Sequence, residues 1–232
     1  MNYVKLRRIA LSMASVSFSA LLMLCMLWIN VIDSDADTEK RTPSEKTGSI
    51  VLPEGISCTP LVVQEIASYD GKFIEDGSGR EVLNVAAILL YNSSDKIVPY
   101  ANVTVYTQNC KYTFEAFMLP PESTVLVPDS EGKTLTEKEI TRIFGWVTVK
   151  PNEYRPHVTV TERENGCLEV QNLSGNRIHD LKLYHRTYIS ETGVYMGGKA
   201  FFTEITEVPP GETVQLYPAN YAPGYSKVIC FE

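Results

Sequence analysis

LPPESTVLVP at residues 119–128 and VPPGETVQLYP at residues 208–218 are two versions of one pattern: an apolar residue, a Pro-Pro pair, a two-residue step, Thr-Val, and a closing proline. Proline cannot donate into a central ladder, so each Pro-Pro pair marks an exposed connection that leads into a short strand. The likeness extends outward. An aromatic run stands before each, YTFEAF at 112–117 and AFFTEI at 200–205, and before that an Asn-rich turn, YNSSDKI at 91–97 and QNLSGNRI at 171–178. After each comes a closing apolar run, WVTV at 146–149 and VICF at 228–231. Such self-similarity predicts two copies of one structural unit, with KPNEY at 150–154 supplying the turn residues between them.

Within each copy the pattern is short runs of β-branched and aromatic residues at half-buried alternation, broken by Pro, Gly, Asn and Ser. Strands are expected near 59–67, 82–91, 98–107, 111–117, 123–127 and 146–150, then near 156–162, 167–172, 179–189, 199–206, 212–217 and 226–231. This spacing predicts a mainly β chain with two immunoglobulin-like antiparallel β-sandwich domains, 50–152 and 153–232. One helix is expected in the first copy. Thr136 and Glu139 match a capping box, and Ile140, Ile143 and Phe144 fall on one helical face before Gly145.

The N-terminal part is of another kind. IALSMASVSFSALLMLCMLWINVI at 9–32 holds no charged residue, no Pro and no Gly. At about 1.5 Å per residue it reaches about 36 Å, enough to cross a bilayer core of about 30 Å. It exceeds the apolar core of about 7–15 residues in a cleaved signal, so it reads as a single transmembrane helix that stays, with a cleaved signal peptide as the alternative. Lys5, Arg7 and Arg8 precede it and Asp33, Asp35, Asp37 and Glu39 follow, which keeps residues 1–8 cytoplasmic and places the rest outside, a single-pass cell-membrane protein. Residues 33–49, DSDADTEKRTPSEKTGS, are too polar to bury a core and read as a disordered tether.

Beyond the anchor, 18 basic residues face 28 acidic ones, a net charge of −10. That argues against a nucleic-acid partner and against a basic patch adhering to anionic lipid. Cys25 lies in the apolar stretch, whereas Cys58, Cys110, Cys167 and Cys230 fall outside it. An even exterior count permits two disulfides, and pairing within each copy joins Cys58 to Cys110 and Cys167 to Cys230; four buried thiols are the alternative.

Motifs for chemistry are sparse. No CxxC pair, zincin spacing, GxSxG frame or phosphate-binding glycine pattern occurs, so no cofactor, metal or catalytic residue is assigned and the chain reads as non-enzymatic. His179 and His185 flank Leu181 and Leu183 on one expected strand face, too far apart to share an ion. Asn92-Ser-Ser94, Asn102-Val-Thr104 and Asn172-Leu-Ser174 are glycosylation acceptors where the host modifies exported proteins, and the same triplets are common in β-turns. Tyrosine concentrates in the second copy. Tyr184 and Tyr188 share a strand face with Lys182 and Arg186, and Tyr217, Tyr221 and Tyr225 lie in YPANYAPGY, making these five tyrosines the candidate recognition surface for a protein or glycan.

The basic N-terminus, single anchor, polar tether and tandem sandwich copies with their N-S and PPxE/PPGE turns resemble, in architecture, membrane-anchored extracytoplasmic proteins of Gram-positive bacteria. The resemblance implies a membrane-tethered interaction module outside the cell. The alternative expectation is an accessory or structural subunit of a cell-envelope complex that associates through its transmembrane helix.

Overall fold

The computed structural model describes residues 49–149 and 157–231. The apolar stretch 9–32 and residues 33–48 lie outside the described part. Among the described residues the chain is mainly β: β1 (Glu54–Gly55), β2 (Leu61–Phe73), β3 (Arg80–Asn92), β4 (Val98–Tyr106), β5 (Lys111–Leu119), β6 (Ser123–Pro128), β7 (Arg142–Thr148), β8 (Val158–Glu162), β9 (Leu168–Asn172), β10 (Ile178–Ile189), β11 (Val194–Val208), β12 (Thr213–Leu216) and β13 (Ser226–Phe231).

The strands form three sheets: a seven-stranded sheet in the order β1-β2-β3-β6-β11-β10-β13, and three-stranded sheets β5-β4-β7 and β12-β9-β8. The repeat is legible in this order. Strands β2-β3-β6 and β5-β4-β7 of the first copy correspond one for one to β8-β9-β12 and β11-β10-β13 of the second. Two apolar cores form, the first reaching into the second copy through Tyr195, Tyr188 and Ile229. Leu61, Ile88, Leu90, Val103, Phe114 and Val125 contribute to the first, and Leu168, Val170, Leu181, Leu183, Ile205 and Val208 to the second.

Two buried asparagines explain why the N-S turn and the Pro-Pro turn recur together. Asn92 is 0% exposed; its Nδ2 donates to the carbonyls of Lys96 at 2.8 Å, Pro120 at 3.0 Å and Leu119 at 3.4 Å, and its Oδ1 accepts from the Ser94 amide at 3.1 Å. Asn172, also 0% exposed, repeats the arrangement: Nδ2 donates to Asn176 at 2.7 Å and Val208 at 3.0 Å, and Oδ1 accepts from the Ser174 amide at 2.8 Å. Each asparagine therefore ties its own turn to the strand end that enters the Pro-Pro corner. Their amides face protein carbonyls rather than solvent, which fits the turn role and not the glycan-acceptor role. Glu122 and Gly211, the residues after the two Pro-Pro pairs, both take left-handed backbone conformations, φ 48° and 73°.

The two copies share a sheet. Strands β6 and β11 pair in parallel, Val194 with Thr124, Tyr195 with Val125 and Met196 with Leu126, so the seven-stranded sheet continues from one copy into the other. Residues 47–232 form one compact unit. At the seam, the fully buried Arg186 of β10 donates from Nη1 to the Gly197 carbonyl and from Nη2 to the carbonyls of Phe117 and, at 2.8 Å, Gly198. Burial holds its guanidinium down to about 10, opposed by the nearby Glu75 carboxylate. Glu75, in the turn between β2 and β3, accepts from the Gly198 amide at 2.8 Å. A Cβ on Gly198 would stand 2.0 Å from the Glu115 carbonyl oxygen, so this approach requires glycine.

Three expectations are corrected. The helix foreseen over 136–145 is absent: residues 142–148 form β7, and Ile140 makes an isolated bridge to Ile50. Thr136 does not cap a helix. Its amide donates to the Tyr112 hydroxyl at 3.1 Å, and its own hydroxyl lies 3.2 Å from both that oxygen and the Cys110 sulfur. The expected Cys58–Cys110 and Cys167–Cys230 bonds are not formed, since Cys58, Cys110 and Cys167 are free thiols. Cys58 lies by the end of the hairpin where Val98 pairs with Leu119, and Cys110 at the opposite end, about 25 Å away at the strand rise. Lastly, His179 is exposed while His185 is buried, because Asp180 at φ 51° interrupts the alternation between them.

Candidate binding face

β7 approaches β4 closely because position 145 is glycine, whose Cβ, if present, would meet the Asn102 carbonyl oxygen at 2.7 Å. Ile143 and Val147 on either side pack against the core, so the intervening Phe144 and Trp146 must point outward. On β4, Ala101, Val103 and Val105 fill the core, leaving Tyr100, Asn102, Thr104 and Tyr106 on the outer face. On β5, Phe114 and Ala116 face inward, leaving Thr113, Glu115 and Phe117 outward.

Register sets these outer residues in rows. Tyr100 lies between Phe117 and Thr148, Asn102 between Glu115 and Trp146, Thr104 between Thr113 and Phe144, and Tyr106 between Lys111 and Arg142. Trp146 is 53% exposed, Phe144 44% and Phe117 38%, an unusual set of large rings in water on one sheet face. The Tyr100 ring lies 4.9 Å from Phe117 and 5.1 Å from Trp146, tilted to both by 59° and 53°. Tyr106 stacks on Phe144 at 6.0 Å, and the Arg142 guanidinium sits 5.9 Å from the Tyr106 ring and 5.5 Å from Phe144.

A polar group is set among the rings. The Tyr100 hydroxyl donates to Glu115 Oε1 at 2.6 Å, and Asn102 Nδ2 reaches the Tyr100 oxygen at 3.4 Å and Glu115 Oε1 at 3.5 Å. Partial burial and the Glu115 acceptor together push the Tyr100 phenol above the ordinary range. The carboxylate and the carboxamide are thereby fixed in orientation at the centre of an aromatic surface.

The second copy places different residues at the equivalent positions. Asp180, Lys182, Glu204 and Thr206 stand where the first copy has Tyr100, Asn102, Glu115 and Phe117, and Lys182 pairs with Glu204 at 3.3 Å. In the next row Tyr184 and the exposed Phe202 stand where the first copy has Thr104 and Thr113, with the Lys182 ammonium 5.5 Å from the Phe202 ring, so the second copy carries a smaller aromatic pair and the Tyr100–Phe117–Trp146 group belongs to the first.

The five tyrosines singled out by composition are dispersed. Tyr184 is half-buried beside Phe202, ring centres 5.8 Å apart. Tyr188 packs on the first core and against Tyr195 at 4.9 Å, with the Lys227 ammonium 4.9 Å over its ring. Tyr221 packs on the second core and against the His185 ring, and burial with the Glu162 acceptor pushes its phenol up. Tyr217 and Tyr225 are exposed; the former edges an open groove of about 550 Å³ and is pushed up by the Cys167 thiol beside it. Among the described residues, no group of three or more His, Cys, Asp or Glu side chains is placed to hold a metal ion.

No protein-family model matches the chain, and no curated protein matches it.

Proposed function

We propose that this protein is a non-catalytic binding module, tethered to the membrane by residues 9–32 and held outside the cell, whose recognition surface is the outer face of β5-β4-β7. On this reading the chain carries two immunoglobulin-like sandwiches joined through β6 and β11. The observation that carries the proposal is the exposure of Phe117, Phe144 and Trp146 around the Tyr100–Glu115–Asn102 group. Leaving large rings in water forgoes the hydrophobic gain of burying them, about 1.5–3 kcal/mol for a residue such as Phe, and a partner recovers it. The second copy, through Arg186 and Gly198, braces the backbone of β5 at Glu115 and Phe117, so the face rests on a rigid support.

The test is capture from membranes of the native host with full-length protein. Alanine at Trp146 and Phe117 together is expected to abolish what the wild-type chain retains. Undiminished capture by that variant, combined with loss of capture when residues 9–32 are replaced by an unrelated apolar helix, would instead make the chain a subunit held through its membrane segment.

A further inference from the structure

We infer that the occupant of the β5-β4-β7 face is an uncharged, hydroxyl-rich glycan chain, an inference that rests on the binding reading above. The centre of the face selects the chemistry. Glu115 and Asn102 are planar groups preset by the Tyr100 hydroxyl, with acceptor and donor capacity left over. An apolar protein surface laid across them would strip their water and return no hydrogen bonds, whereas adjacent ring hydroxyls of a sugar both donate and accept. The rings beside them, Phe117, Tyr100 and Trp146, offer electron-rich faces to the weakly positive C–H surface of a pyranose.

Charge complementarity narrows the choice further. The chain beyond the anchor carries a net charge of −10, and Glu115 sets a negative charge in the Asn102–Trp146 row, where it repels a phosphate or uronate laid on the rings. Lys111 and Arg142 lie in the last row, on either side of Tyr106. From Tyr100 to Tyr106 the face runs about 20 Å at the strand rise, room for several linked sugar rings. The second copy's equivalent face differs at its centre, where Lys182 replaces Asn102, pairs with Glu204 and lies over the Phe202 ring.

The sequence provides a reporter. Tryptophan occurs only at 28 and 146, so the full-length Trp28→Phe protein in detergent emits from the face alone. Titration with chitohexaose, cellohexaose and xylohexaose is expected to give a saturable emission change with at least one of them. Phe117→Ala and Asn102→Ala in the same background are each expected to weaken that affinity about tenfold. Lys182→Ala, on the other copy, is expected to leave it unchanged. No saturable change with any of the three, or a change that survives both face substitutions, overturns the inference. Capture from host membranes separates this failure from that of the binding reading itself. Trp146-dependent retention of periodate-sensitive, protease-resistant material supports the glycan. Trp146-dependent retention of protease-sensitive, periodate-resistant material keeps the binding face and overturns the glycan; no Trp146-dependent retention overturns both.

Discussion

At the scale of single residues, the buried polar groups divide into those that are satisfied and those that are not. Asn92 and Asn172 use their amides fully, each closing a turn onto the strand that enters a Pro-Pro corner. Replacing either with alanine removes the buried donor to the Pro120 or the Val208 carbonyl, while the Ser94 and Ser174 hydroxyls still serve Lys96 and Asn176, at about 1–3 kcal/mol for a group left dry. Each substitution is expected to cost about 1–3 kcal/mol in urea unfolding, more than alanine at the exposed Asn109. His185 is the opposite case. Its ring is buried between Phe201 at 5.6 Å and Tyr221 at 5.2 Å, and neither nitrogen has a hydrogen-bond partner. Burial lowers its pKa below 6.5, so the unfolded chain takes up the proton first. Its contribution to stability is therefore complete above the unfolded value of about 6.5 and falls as the pH drops toward the depressed folded one. Glu75 runs the other way, since burial raises its pKa and its ionisation works against folding as pH rises. Comparing wild type with His185→Leu cancels Glu75. The variant is expected to lose less stability than wild type between pH 7.5 and pH 5, read from urea midpoints at each pH.

At the scale of elements, most of the sheet content was legible because alternation and turn residues act locally: twelve strands fall where the runs of Val, Ile, Thr, Tyr and Phe place them. The failure at 136–145 is instructive. Ile140, Ile143 and Phe144 fit a helical spacing, yet the alternation of Ile143, Gly145 and Val147 against Phe144 and Trp146 is equally present and belongs to β7. What decided between them is tertiary. Tyr112 takes the Thr136 amide that a capping box would have used, and β4 supplies a partner for every residue from Arg142 to Thr148. The helical reading covered Phe144 and cut the strand expected near 146–150 off from its first half, so the row that sets Phe144 and Trp146 on one sheet face with Tyr100 and Phe117 was not legible before pairing with β4. Composition counts tyrosines without saying which side of a sheet they occupy. Tyr188 and Tyr221 proved to serve the first and the second core. The cysteine pairing failed for a related reason: sequence gives the residues between two thiols but not the end of the hairpin on which each sits.

At the scale of the whole molecule, the joining of the copies has a thermodynamic consequence. Two copies connected only by the 150–156 segment would unfold independently, but here one sheet runs through both, and β10 reaches across the seam to β5. Arg186 is the side chain most committed to that seam. It is buried without exposure, it bonds to three carbonyls from β5 and β11, and Glu75 lies close enough to oppose the effect of its burial. Exchanging it for methionine keeps the length and removes the donors to those carbonyls, while Glu75 keeps the Gly198 amide, a loss of about 1–3 kcal/mol for each buried carbonyl left without a partner. Gly198→Ala attacks the same seam by volume rather than charge, since its Cβ cannot coexist with the Glu115 carbonyl at 2.0 Å. Calorimetry of the full-length protein in detergent is expected to show one cooperative transition for residues 47–232 in the wild type and two in either variant, with the earlier transition the same in both. Arg163→Met, which breaks only the exposed pair with Glu169, is expected to leave the single transition essentially where it stands in the wild type. A single undivided transition in both seam variants would mean that the β6–β11 ladder alone couples the copies, and that the Arg186 contacts serve only to hold β5, and with it the aromatic face, in place.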